Sequence, residues 1–258
     1  MLRVICICNQ KGGVGKTTTA VNISACLAML KRRTLLIDID PQANASTGVG
    51  FRLAPGEPSI YQALIGQIEP SSIIKHTEIN DLFIIPSSQS LIGAEVELVA
   101  LENRQQFLSK MIGVLENEYD YILIDCPPSL GFLTLNALVA AQSVIIPIQC
   151  EYYALEGVSA LINTVQKVQN IFNEALFIEG FVLTMFDSRN NICHQVVDNV
   201  RQNLADRVFK TVIPRNVRLS EAPSFGKPVM IYDPQSTGAT SYMALTKEIL
   251  DAETKRNC

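Results

Sequence analysis

Several features are scarce or missing in this chain, and each absence removes a class of function. Histidine occurs only twice, at His76 and His194, and no Cys-x-x-Cys is present, so neither histidine sits in a metal-ligand spacing. Charged residues make up 18% of the 258 residues, too few for a disordered or tail-bearing chain. The net charge is −4 and the pI about 5.3, so there is no global basic field for nucleic acid, and any such binding needs a local patch. No apolar run reaches the ~18 residues of a membrane span, and no signal peptide precedes the first apolar run. Linkers, internal repeats and low-complexity stretches are also missing. These absences lead us to expect one domain over residues 1–258, in the cytoplasm, with no membrane partner.

Apolar residues are plentiful, 48% of the chain with a mean hydropathy of +0.20, ample for a sizeable core. Seven cysteines, an odd number and several of them inside apolar runs, read as reduced structural thiols. Short, nearly all-apolar runs alternate with helical patterns along the chain. Strands are expected at Val4 to Cys8, Thr34 to Asp40, Leu82 to Pro86, Tyr121 to Asp125, Ser143 to Pro147, Phe177 to Met185 and Val208 to Ile213. Helices are expected at Lys16 to Leu30, Ser59 to Ile65 with Ser59 as cap, Ala94 to Leu115, Phe132 to Ala141, Leu155 to Phe172, Asn191 to Leu204 and Gly238 to Ala252. Gln42 to Gly50 reads as a mobile loop. The alternation predicts an α/β fold, a doubly wound and mostly parallel sheet with helices on both faces.

The first strand runs into Asn9-Gln10-Lys11-Gly12-Gly13-Val14-Gly15-Lys16-Thr17-Thr18, and a helix follows. Strand, glycine-rich turn, Lys-Thr and helix make a phosphate-binding loop. Glycines let main-chain N–H groups turn inward around phosphate oxygens, and the helix points its positive end at the same anion. Lys16 would place a charge on the β- and γ-phosphates of ATP, and the Thr17 hydroxyl would sit on Mg²⁺.

Acids end two further strands. Asp125, after Tyr-Ile-Leu-Ile, has the form of an acid that holds Mg²⁺ through water. Asp38 and Asp40, two apart, share one face if the strand runs through both. In an open parallel sheet ligands bind beyond the carboxyl ends of the strands, where all these groups converge. For each acid the plain alternative is a carboxylate that caps a loop, and that alternative bears most on Asp38. Cys126 beside Asp125 suggests an iron–sulfur ligand, but no second cysteine suits that arrangement.

The loop departs from the usual form: Gln10 replaces its first glycine, and a second lysine, Lys11, follows. Lys-Gly-Gly-Val-Gly-Lys-Thr resembles the deviant Walker A loop of the ParA/MinD superfamily of P-loop ATPases. Asp125-Cys-Pro-Pro-Ser-Leu-Gly131 and Pro147-Ile-Gln-Cys-Glu-Tyr-Tyr-Ala-Leu-Glu-Gly157 resemble the Soj-type chromosome partition proteins within it. So do Leu183-Thr-Met-Phe-Asp-Ser-Arg189 and Ile213-Pro-Arg-Asn-Val-Arg-Leu-Ser-Glu-Ala-Pro-Ser-Phe-Gly-Lys-Pro228. The resemblance implies an ATP-dependent homodimer in which Lys11 reaches the partner's nucleotide. It makes Lys11, Lys16 and Asp40 the catalytic set, with Asp40 orienting the attacking water. Lys11, Gly12, Gly13, Val14, Gly15, Lys16, Thr17 and Thr18 would bind ATP, with Pro214 and Asn216 flanking the adenine. Thr17, Asp38 and Asp125 would lie around Mg²⁺, and the Gly131 segment would sense the γ-phosphate.

From Arg201 to Lys227 the chain carries six basic residues against two acids, a local +4 in a chain that is −4. A solvated helix face would give the same pattern. The resemblance places DNA-contacting arginines at Arg189 and Arg218, with Arg215 a weaker candidate. Such contacts go to phosphates, and so bind DNA without reading its sequence. After Arg189 the chain reads Asn190-Asn191-Ile192 where the family usually continues Thr-x-Leu. The resemblance further implies a ParB-like, centromere-bound partner that stimulates hydrolysis, and a nucleoid-associated protein. A MinD-like membrane ATPase is the main alternative; it would carry a C-terminal amphipathic anchor, and no bulky apolar residue follows Leu250 here. A small-molecule ligase or metal-insertion ATPase shares the fold, which alone does not exclude it, and the window from Arg215 to Lys227 does most to discriminate.

Overall fold

The strands β1 (Arg3–Ile7), β2 (Thr34–Asp38) and β5 (Tyr121–Asp125) are five-residue runs of mostly branched apolar residues, and every residue of β2 and β5 is buried. Strands this apolar need cover on both faces, which is the condition of a parallel sheet between two helical layers. The structure, a computed structural model, describes residues 2–98, 101–152, 154, 157–204 and 207–257. Within them one eight-stranded sheet runs in the order β3-β4-β2-β5-β1-β6-β7-β8, completed by β3 (Lys75–His76), β4 (Leu82–Ile85), β6 (Ser143–Gln149), β7 (Phe177–Phe186) and β8 (Val208–Pro214). All pairings are parallel except β3 with β4. The expected fold class is therefore the observed one.

Alternate strand residues feed two cores. Cys6, Cys8, Leu35, Ile37, Ile122 and Ile124 face α3 (Ile60–Leu64), α4 (Leu91–Glu97), α5 (Phe107–Gly113), α6 (Phe132–Ala140), α7 (Val158–Ile171) and α8 (Asn191–Leu204). Ile5, Ile7, Leu36 and Leu123 face α1 (Lys16–Met29), α2 (Asn44–Gly48), α10 (Val229–Tyr232) and α11 (Thr237–Asn257). The six described cysteines are buried free thiols, and Cys258 lies outside the described residues.

Ser59 caps α3 as expected, and Gln62 completes a reciprocal capping box. Three expectations need correction. Gln42 to Gly50 is not a bare loop: it holds α2, with Ala45, Ser46 and Gly48 buried. The strand expected to reach Asp40 stops at Asp38, so Asp40 lies in the turn beyond the sheet. The long helix expected at Ala94 to Leu115 is broken: α4 ends at Glu97, and Asn103 adopts a left-handed conformation (φ +54°) before a short 3₁₀ turn and α5. Asparagine tolerates that conformation at low cost, so Asn103 can make the left-handed turn that precedes α5. The helix expected from Leu155 is seen from Val158, Leu155 itself lying outside the described residues. A short helix missed by periodicity, α9 (Val217–Glu221), follows β8.

Candidate functional site

The loop between β1 and α1 turns on two glycines in the left-handed region, Gly13 (φ +73°) and Gly15 (φ +88°). Any other residue there would strain the main chain. Lys16 opens α1 almost fully buried and donates from Nζ to the Lys11 carbonyl at 3.0 Å, folding its ammonium back over the loop. Burial lowers the Lys16 pKa, and the neighbouring Asp125 and Asp40 oppose that shift. Elements outside the loop hold its shape. Asn9 accepts from the Lys11 N–H and donates to the Pro147 carbonyl, at 3.1 and 2.7 Å. Thr184, on β7, donates to the Val14 carbonyl at 2.9 Å. Gln10, standing where the usual loop has glycine, donates to the Gly157 carbonyl at 2.9 Å. Gly157 has φ +79°, and a Cβ there would meet Gln10 Nε2 at 1.9 Å, so that approach requires glycine.

Lys11 and Gly12 lie at the rim. Lys11 is partly exposed, with Nζ 3.9 Å from Glu151 Oε2 just beyond β6. A Cβ on Gly12 would come no closer than 3.9 Å to Pro128, an ordinary contact. Among the described residues, nothing within this protomer demands glycine at that position.

The acids converge on the same edge, because β1 pairs with β5 and β5 with β2 in a register that sets Ile7 beside Asp125 and Asp125 beside Asp38. Asp125 is fully buried, and among the described residues neither of its carboxylate oxygens has a hydrogen-bond partner. Burial drives its pKa well up, the Asp38 charge adds to this, and the nearby Thr17 hydroxyl and Lys16 counteract it only in part. A buried carboxylate without partners is costly, and a hard cation bound by oxygen ligands would satisfy it. The residues present therefore fit Mg²⁺ at Asp125, with the Thr17 hydroxyl beside it. Asp38 differs. Its carboxylate accepts from Asp40 N at 3.1 Å, Ser46 N at 2.8 Å and Ser46 Oγ at 2.7 Å, so its oxygens are engaged by the chain itself. Burial raises its pKa to about 6 against those bonds. Asp40 is nearly buried, and its Oδ1 accepts from Gln42 N at 2.9 Å.

A cleft of about 520 Å³ opens beside the loop, lined among others by Thr18, Met185, Pro214, Asn216 and Tyr242. Pro214 and Asn216 are thus brought to the loop from β8 and its exit. Met185 holds a left-handed φ of +54° in the cleft wall, a conformation rare for an unbranched apolar residue and frequent at binding sites. The Asn216 side chain is already engaged: it caps α9 by accepting from Arg218 N and donates to Thr237 Oγ1.

The three arginines leave the neighbouring ends of β7 and β8, which are paired at Phe186 and Pro214. Arg189 is 86% exposed yet forked onto Asp187 through Nε at 3.0 Å and Nη2 at 2.8 Å. That fork, with Arg215 assisting, holds the Asp187 carboxyl down at about 2. Arg218 pairs with Glu221 at 2.9 Å and Asp233 at 3.1 Å. The expected arginines are together on one edge, and two of them carry acidic partners that the sequence window did not assign. Asp206, counted in that window, lies outside the described residues. Both histidines are exposed, and no metal-holding cluster of His, Cys, Asp and Glu occurs among the described residues.

Asn9, Gln10, Ser46, Glu151, Gly157 and Thr184 are the residues sequence reasoning passed over. All but Ser46 stand inside motifs already quoted, but their contacts had no signal in the sequence.

Residues 2–178 match a protein family described as AAA domain. The chain is 54% identical over 249 residues to sporulation initiation inhibitor protein Soj of Bacillus subtilis, covering 96% of this chain and 98% of that protein. It is 49% identical over 256 residues to chromosome-partitioning ATPase Soj of Treponema pallidum, covering 99% of this chain and all of that one. Among solved structures, cobyrinic acid a,c-diamide synthase from Mycobacterium smegmatis with bound ADP and magnesium superposes with a TM-score of 0.87 at 35% identity, covering 97% and 94% of the two chains. That enzyme has the fold, while full-length identity near one half lies with the partition proteins. The chain belongs to the Soj/ParA family of chromosome-partitioning ATPases.

Proposed function

We propose that this ATPase binds ATP with Mg²⁺ in the cleft between the loop and the β8 exit, dimerises on it, and in that state binds DNA without sequence preference. The observation that carries the reading is Asp125, a fully buried carboxylate with no internal partner, lying beside Thr17 and the buried Lys16 ammonium. Mg²⁺, when bound, neutralises charge on the β- and γ-phosphates. Main-chain N–H groups of Gly12 to Thr17 cradle phosphate oxygens, Lys16 adds a fixed charge, and Pro214 and Asn216 bound the base. Asp40, in the turn beyond β2, orients the attacking water.

Lys11 is the residue left over by a one-protomer account. It lies partly exposed at the rim, and among the described residues its ion pair is a long one to Glu151, which is half-exposed. Such a pair contributes about 0–1 kcal/mol, so Lys11 is free to exchange it for a phosphate across a dimer interface. Two protomers then join two sets of Arg189, Arg215 and Arg218, and weak phosphate contacts gain by avidity. Hydrolysis returns monomers and releases DNA, and a ParB-like, centromere-bound partner accelerates that step. No helix among the described residues is long and apolar enough to cross a membrane.

Sedimentation velocity tests the first half of the cycle. A dimer with ATP and Mg²⁺, and a monomer with ADP, are expected. A monomer with both nucleotides, at saturation, would refute the dimer cycle.

A further inference from the structure

Asp40 sits in a turn outside the sheet, yet the position of its carboxylate matters to the reaction proposed above. What fixes that turn is a closed ring of hydrogen bonds around a buried serine. Ser46, on α2, gives two bonds to Asp38 Oδ2, from its main-chain N at 2.8 Å and from Oγ at 2.7 Å. The same Oγ accepts from Ser87 N at 3.2 Å. Ser87 Oγ donates to the Asp40 carbonyl at 2.6 Å. The Asp40 N–H closes the ring on Asp38 Oδ1 at 3.1 Å. Asp38 is 0%, Ser46 2% and Ser87 2% exposed, so water competes with none of these bonds. The helix that carries Ser46 has five residues, starts after a left-handed Ala43 and has no side-chain N-cap. A helix that short is not stable by itself, and its anchorage to Asp38 is what places it.

We infer that Ser46 is a positioning residue for ATP hydrolysis, acting through Asp38 and Ser87 to fix the turn that presents Asp40. Asp38 serves in this ring as an anchor for the turn. The inference rests on the reading of Asp40 as the residue that orients water, and it adds the device that holds Asp40 in place. A displacement of about an ångström at such a group costs roughly tenfold to a hundredfold in rate.

The test is a double-mutant cycle on single-turnover hydrolysis, with ATP affinity measured alongside. Ser46→Ala should slow hydrolysis about tenfold, with ATP affinity unchanged within twofold. Added to Asp40→Ala it should change nothing further, because the group it positions is gone. Ser87→Ala, which leaves both Ser46 bonds to Asp38 in place, should behave likewise and carries the test if Ser46→Ala does not fold. Parental turnover in the serine variants would overturn the inference. So would an equal loss in both backgrounds, since Ser46 would then act elsewhere. Parental turnover in Asp40→Ala would instead remove the reading on which the inference rests.

Discussion

Asp38 and Asp125 are register partners at the carboxyl ends of adjacent parallel strands, both fully buried, one holding three hydrogen bonds and the other none. Sheet geometry gives them equivalent positions, and the loop after β2 makes them unequal. That loop folds back as α2 and satisfies Asp38 from within. The segment after β5 runs through Pro127, which has no N–H to donate, and supplies Asp125 with no hydrogen bond among the described residues.

The inequality has a pH signature. Both carboxyls are raised above their ordinary 3.8 in the folded chain, Asp38 to about 6 and Asp125 well above that ordinary value, chiefly by burial. Between those values the folded state holds more protons than the unfolded state, so metal-free stability falls as pH rises through about 4 to 6 and beyond. Asp125→Asn removes the Asp125 share. Melts in chelator at pH 8 should show the variant more stable than the parent by about 1–3 kcal/mol, the cost of an unsatisfied buried group. The advantage should shrink towards pH 4. The same variant should lose Mg²⁺-dependent hydrolysis.

Asp40→Ala should bind ATP and dimerise as the parent does but hydrolyse at least about 100-fold more slowly, the effect of a lost positioned group on proton and water placement. Loss of transition-state stabilisation leaves ground-state binding intact. Comparison of kcat with ATP affinity decides it: unchanged turnover with intact binding rejects the role.

Gly12 has room for a Cβ within its own protomer, and among the described residues Lys11 has only a long, half-exposed partner. Gly12→Val and Lys11→Ala should therefore fold and melt within about 1 kcal/mol of the parent. Both should fail to dimerise with ATP in sedimentation, the first by bulk between the protomers and the second by loss of the donated charge. Parental dimerisation by both would reject the face-to-face arrangement.

The sequence disclosed the parts governed by local rules and missed those made by long-range contact. Apolar runs ending in Asp or glycine marked β1, β2 and β5, and with them the loop, Asp38 and Asp125. Strand β5 and helix α8 were legible to the residue, since each is a pure run or period bounded by clear breakers. Asp40 was placed in a strand because nothing in Ile-Asp-Ile-Asp tells where pairing stops. Helix α2 was read as a loop because Asn-Ala-Ser-Thr-Gly has no period, and its anchorage comes from Asp38, eight residues away. Gln10 with Gly157 and Ser46 with Ser87 meet across 147 and 41 residues, a distance at which no spacing rule operates. The acidic partners of Arg189 and Arg218 were missed although all but Asp233 lie within three residues, because counting charge in a window ignores who faces whom.

Those partners set a condition on the proposed DNA binding: to reach phosphates, Arg189 and Arg218 would have to exchange Asp187, Glu221 and Asp233 for them. Arg189→Ala and Arg218→Ala should each weaken DNA binding without changing ATP-dependent dimerisation. With one phosphate per arginine per protomer, each substitution should lower the slope of log affinity against log salt by roughly 2. An unchanged slope rejects that arginine as a phosphate contact.

The most direct test of the whole account is equilibrium binding of the Asp40→Ala protein, which is expected to hold ATP and turn it over slowly, to two duplexes of unrelated sequence. With ATP and Mg²⁺ both duplexes should bind with equal affinity, falling steeply with salt; with ADP or no nucleotide neither should bind at the same protein concentration. Binding that is indifferent to nucleotide, confined to one sequence, or absent in ATP would contradict an ATP-gated, sequence-blind grip on DNA.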